Sequence, residues 1–170
     1  ATAALAGIGV RVPDVLLPPP DLHAWAVAAC DQFTSQPDYW QQVEATVGEA
    51  PSTLRLTFPE VYLDEPEPER RIAAINATMS DYLSEGLFEE HPDTMVLVRR
   101  ETRHGVVRWG LMVALDLEHY SWEPDARTLI RATEGTILDR LPPRVAIRRN
   151  APLELPHIMV LISDADRAVR

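Results

Sequence analysis

Apolar and polar residues change rhythm several times along this chain, and each change marks an expected element. The clearest is residues 67–83, where Ile72, Ile75, Met79, Tyr82 and Leu83 recur at three and four positions and predict one buried helical stripe. Acids at its start and Gly86 after its end agree with the direction of the helix dipole. A second helix is expected over residues 37–47, introduced by Thr34, Ser35, Pro37 and Asp38 and stopped by Gly48. Alternation of Leu54, Leu56 and Phe58 with polar neighbours predicts a strand at 52–58. Residues 94–101 and 106–117 flank Arg103-His104-Gly105 and read as an antiparallel hairpin, the second strand apolar enough to be central. Residues 10–17 and 157–162 read as strands, the latter closing and buried, and 135–141 and 143–150 as helical. Residues 22–30 form an apolar run in which strand and buried helix compete. Strands and helices interleave, so the class is α/β or α+β with a mixed β-sheet and flanking helices.

Length adds that one domain over residues 1–170 with a sizeable core is expected. No apolar run approaches the ~20 residues that cross a bilayer, and the apolar opening lacks the basic start of a signal peptide. The single cysteine, Cys30, cannot form an internal disulfide, which is compatible with a cytoplasmic location. All sixteen basic residues are arginine, so a Walker-type lysine, a pyridoxal Schiff base and a lysine nucleophile are excluded. No glycine-rich nucleotide loop occurs, and no His-x-x-x-His or Cys-x-x-Cys spacing points to a structural metal. A net charge of −10 disfavours nucleic acid as a partner.

Against that acidic background, residues 127–149 hold six arginines and two acids, a local charge of +4. Inside lies Arg131-Ala132-Thr133-Glu134-Gly135-Thr136. Hydroxyls around a helix start, with an arginine beside them, fit a phosphate or carboxylate, and Glu134 next to the anion then suits a base or a metal ligand. The competing reading makes Thr133 an ordinary N-cap, Glu134 a first-turn acid and the arginines a solvated face. A second polar cluster, Cys30 to Ser35, follows the apolar run where α/β sheets place functional loops. Asp31 there is a general base, a group that orients a substrate amine, or a partner in an Asx-turn with Thr34 or Ser35 that caps the next helix. Cys30 reads as a small buried hydrophobe rather than a nucleophile.

The strings PDVLLP, WAVAACDQFTSQPDYW, APSTLRLTFPEVYL, LIRATEGTILDRLPPRV and NAPLELPHIMVLI resemble, in order and from Val12 to about Ser163, the prokaryotic domain-of-unknown-function family 1015. Its members are typically longer, so the resemblance implies an N-terminal portion, either a fragment or a shortened member; in a partner-binding reading the arginines would contact a missing C-terminal half or another chain, as in a homo-oligomer. The family is loosely connected with the ParB/sulfiredoxin-like superfamily, some members of which are nucleotide-dependent kinases of free serine. By resemblance, Asp31 matches the acid after the first apolar segment, Arg55 a strand arginine, and Arg131, Glu134 and Thr136 an Arg-x-x-Glu-x-Thr signature. Other branches carry His at Thr133 and Lys at Gly135, so two groups that would hold phosphate differ here.

The expectation is therefore a protein that binds a small anion or nucleotide, extended to a phosphotransferase using ATP or ADP with Mg²⁺. Arg131, Thr133 and Thr136 would hold phosphate, Arg55 and Gln32 the substrate, and Glu134 or Asp31 would deprotonate a hydroxyl. The alternative is a non-catalytic ligand- or partner-binding module.

Overall fold

The computed structural model describes residues 2–64, 66–123, 125–132, 135, 137–155 and 157–162. Along them run α1 (Thr2–Gly7), β1 (Val10–Arg11), β2 (Val15–Leu17), α2 (Pro37–Val47), α3 (Pro68–Ser84), β3 (Glu89–His91), β4 (Val96–Glu101), β5 (Val107–Met112), β6 (Ala114–Leu115), β7 (Tyr120–Ser121), β8 (Ile130–Arg131) and α4 (Leu141–Arg149). The fold mixes helices and strands, as expected. The strands do not join into one mixed sheet: among the described residues they form four two-stranded pairs, β1 with β6, β2 with β3, β4 with β5 and β7 with β8. Only the last pair is parallel. No described helix is long and apolar enough to cross a membrane.

The chain divides into two compact units, Ala1–Leu22 with Tyr82–Leu141, and His23–Asp81 with Pro142–Arg170. In the first, β1 pairs with β6 as Arg11 donates to Asp116 at 2.8 Å and Asp116 N–H donates to Gly9 O at 2.8 Å. Gly9 has φ +72°, and a Cβ there would meet His119 Cβ at 3.1 Å and Ile130 Cδ1 at 3.2 Å, so both backbone conformation and space call for glycine. The backbone N–H of Glu118 first, and then the Arg11 guanidinium, hold the Asp116 carboxyl below the usual carboxylate range. Its stabilising contribution is thus present above the ordinary carboxylate range and lost as pH falls through the lowered folded value. An NMR titration should give Asp116 a midpoint below that of a free aspartate. Arg11→Ala should raise this midpoint only part of the way, because the Glu118 N–H remains; a native midpoint at the free value would contradict the assignment.

The hairpin β4–β5 forms where the pattern placed it. Gly105 (φ +75°) turns the chain, and Thr102 N–H donates to Val106 O at 2.9 Å. Its second strand is not central, however. Trp109 is 63% and Leu111 56% exposed, on the same face as Leu97. An apolar strand was read correctly, but its cover was assumed from composition.

In the second unit, α2 has the expected bounds, with Pro37 at its first turn and Gly48 closing it through a bond to Glu44 O. Its N-cap is Gln36 with no side-chain hydrogen bond, so neither Thr34 nor Ser35 caps it. Trp40 and Val47 face inward from α2. On α3, Ile75 and Met79 are buried, while Leu83 is exposed and drops out of the expected stripe. Residues 52–58 are not a strand. Ser52 Oγ accepts from Leu54 N–H and donates to Trp25 O, so it caps a single 3-10 turn, Thr53–Leu56, in place of a ladder. The apolar positions are nonetheless buried: Leu56 and Phe58 join Tyr62, over which Arg71 lies at 4.3 Å from the ring centre. The helix expected at 135–141 shrinks to a 3-10 turn at Leu138–Arg140, and the next one begins at Leu141 with Pro142 and Pro143 in its first turn. Residues 157–162 form no strand and are exposed, against the expectation of a buried closing strand.

Candidate functional site

The basic stretch is split between the two units. Arg127, Arg131 and Arg140 belong to the first, and Arg144, Arg148 and Arg149 to the second. Two in the second unit are engaged: Arg144 donates to Glu60 at 2.5 Å and Arg148 to Glu154 at 3.0 Å. The +4 read from the sequence is therefore not a set of six free cations.

Arg131 ends β8, opposite Ser121 on β7. Thr128 Oγ1 donates to Ile130 O at 3.0 Å, and Ala132 N–H reaches Ser121 O at 3.4 Å, which fixes the backbone on either side of it. The Arg131 side chain is exposed, with no ion pair or hydrogen bond among the described residues. Thr133, Glu134 and Thr136 lie outside the described residues. Gly135 is exposed, with open space where a Cβ would sit. No helix opens at Gly135. The first described helical turn beyond it, Leu138–Arg140, has Ile137 as N-cap without a side-chain bond.

In the second unit, Asp31 and Gln32 are exposed on a turn closed by Gln32 N–H donating to Ala29 O at 2.9 Å. Phe33 has φ +53° and stacks on Tyr39 with ring centres 3.9 Å apart, which anchors the loop to α2. On the other side, Glu60 N–H donates to Cys30 O at 2.8 Å. Glu60 is itself buried, its side chain 5% exposed, and meets Arg144 of α4. Burial pushes the Cys30 thiol up; Arg144 lowers it in part, while Asp31 and Glu60 raise it further. A thiol held protonated in this way suits the reading of Cys30 as a hydrophobe rather than a nucleophile.

Arg55 sits on the turn after α2, not on a strand. Its guanidinium donates to Gly48 O, and its Nε to Ala50 O at 3.4 Å, so it closes the carbonyl end of α2. Part of its fork is committed there. No hydrogen bond or ion pair joins Asp31, Gln32 or Arg55 to one another among the described residues. The residue that sequence reasoning missed is Glu60. Its signal was an acid between Phe58-Pro59 and Val61-Tyr62, where a charge needs a partner once the flanking residues are buried. A groove of about 390 Å³ also runs between residues 23–28 and α2, lined by Ala24, Ala26 and Ala28 against Tyr39, Val43 and Val47. Among the described residues, no group of three or more His, Cys, Asp or Glu side chains stands together as a metal site.

No curated protein matches the chain, and no solved structure matches it. The family match covers residues 12–170, which is nearly the whole sequence and includes every candidate site residue. The chain belongs to the family described as proteins of unknown function, DUF1015.

Proposed function

We propose that this protein binds a small phosphate-bearing anion or nucleotide around Arg131, within a ParB/sulfiredoxin-like fold. The observation that supports this is the Arg131 side chain, exposed and unpaired among the described residues of an acidic chain, on a backbone fixed by β7. A cation without an acid partner among the described residues suits an anion that arrives from solution. Thr133 and Thr136 add hydroxyl donors, and Glu134 lies beside them in sequence as the base for a substrate hydroxyl. The activity that goes with this arrangement is phosphoryl transfer to a small molecule such as the free amino acid serine. ATP or ADP with Mg²⁺ would supply the phosphoryl group and screen its charge. Arg55, in the other unit, offers a carboxylate only what its bonds to Gly48 and Ala50 leave free.

Thermal unfolding with phosphate, pyrophosphate, ADP and ATP, each with and without Mg²⁺, tests the reading. A ligand at 100 times its dissociation constant should add about 2.7 kcal/mol. Arg131→Glu should abolish that gain and leave unliganded stability within about 0.5 kcal/mol, because the side chain is exposed. An absence of stabilisation by all four ligands would remove the reading.

The non-catalytic alternative, a partner-binding module, is favoured by one observation. Leu97 (66%), Trp109 (63%) and Leu111 (56%) share an exposed face of a two-stranded ribbon. Such ribbons rarely stand uncovered in water.

A further inference from the structure

The β4–β5 ribbon carries different chemistry on its two faces. The register places Val107, Trp109 and Leu111 of β5 on one face with Leu97 and Arg99, and Arg108 on the other, directly opposite Arg100. Every residue from Val107 to Leu111 is exposed. Among the described residues β5 pairs with β4 alone, so its other edge has no strand beside it. Gly110 leaves open space on the arginine face, next to Arg108.

Residues 96–112 hold four arginines and one acid, a charge of +3 in a chain of −10. That acid, Glu101, accepts from Arg99 at 2.9 Å, and Arg103 donates to His104 at 3.1 Å. Arg99 also lies over Trp109, 5.9 Å from its ring centre. Arg100 and Arg108 are left without an acid or hydrogen-bond partner among the described residues. Like charges directly opposed across a ladder destabilise it, so this pair gains from a carboxylate brought to its face.

We propose that the open edge of β5 docks an extended segment of a partner protein in which apolar and acidic residues alternate. An added strand continues the pleat and shares both faces of the ribbon. Its apolar residues then cover Trp109 and Leu111, and its carboxylates reach Arg108 and Arg100 across the open space at Gly110. A lipid surface fits less well, because a plane laid against Trp109 leaves both arginines turned away from it. The charge of the ribbon selects acids over bases in the partner, and the alternation along β5 sets the alternation required of it. This docking is separate from anion binding around Arg131.

Fluorescence polarisation of the full chain with a labelled octapeptide of alternating valine and glutamate tests it. The controls are an octapeptide with its valines and glutamates in two separate blocks, and one alternating valine with lysine. The expected result is saturable binding of the first peptide, roughly tenfold or more tighter than of either control. Arg108→Glu turns a like-charge pair into an opposite one, so the ribbon should stay folded while the affinity falls roughly tenfold. Trp109→Ala, at an exposed position, should weaken binding as well, and Arg131→Glu should leave it unchanged. No binding of the first peptide, equal affinity for either control, indifference to Arg108→Glu or Trp109→Ala, or loss of binding in Arg131→Glu would each overturn the proposal.

Discussion

Trp40→Ala should lower the unfolding free energy by about 3–5 kcal/mol. Trp40 is 0% exposed and is the largest fully buried side chain among the described residues. It projects from α2, beside Tyr39 at 5.4 Å between ring centres in an edge-on arrangement. Truncation to alanine removes that burial and leaves a void that close-packed neighbours fill only in part. The substitution also uncouples the helix that forms one wall of the groove. Trp40→Phe separates two contributions. The indole Nε1 has no hydrogen-bond partner among the described residues, so phenylalanine removes a buried orphan donor while opening a smaller void. Its cost should therefore fall well below that of alanine. Urea unfolding followed by circular dichroism measures both; an alanine variant within about 1 kcal/mol of the parent would contradict this assignment of the core.

Arg144→Met should be the next most damaging change, at about 3 kcal/mol. The Glu60 carboxylate is almost wholly buried and Arg144 is a charge partner of it, so removing the guanidinium takes away compensation from a buried charge. Because the Arg144 side chain is itself 41% exposed, water can reach the vacated position, which sets the expectation at the lower end for a broken buried pair. Pairing Arg144→Met with Glu60→Gln should recover part of the loss, since no charge then lies buried. Urea midpoints of the two single variants and the double variant form a cycle that isolates the coupling. A double variant less stable than the sum of the two singles would show that the pair is not the reason.

The elements that could be read from the chain are those whose signals are local. α2 and α3 have the predicted bounds to within a residue, since proline, glycine and a three-to-four rhythm act within single turns. The β4–β5 turn follows from Gly105 for the same reason. What failed depended on contacts far away in sequence. Residues 52–58 alternate like a strand, but Ser52 found Trp25 and a cap. Residues 157–162 have the composition of a core strand, yet composition reports only that they can pair. Site reading divides similarly. The signature residues at 131–136 and the acid at 31 are visible in sequence, whereas their assignment to different compact units is not. Arg55 was singled out by resemblance, and only the fold shows that the end of α2 takes part of its fork. Glu60 was overlooked because nothing local shows that its flanking residues bury it.

Titration calorimetry of the whole chain with phosphate, pyrophosphate, ADP and ATP, in the presence of Mg²⁺, most directly tests whether an anion site exists around Arg131. The account predicts saturable binding of at least one of these ligands, lost in Arg131→Glu. Once an activity is detected with the bound nucleotide, Glu134→Gln should suppress it. No binding heat from any of the four, or affinity unchanged in Arg131→Glu, would contradict the account.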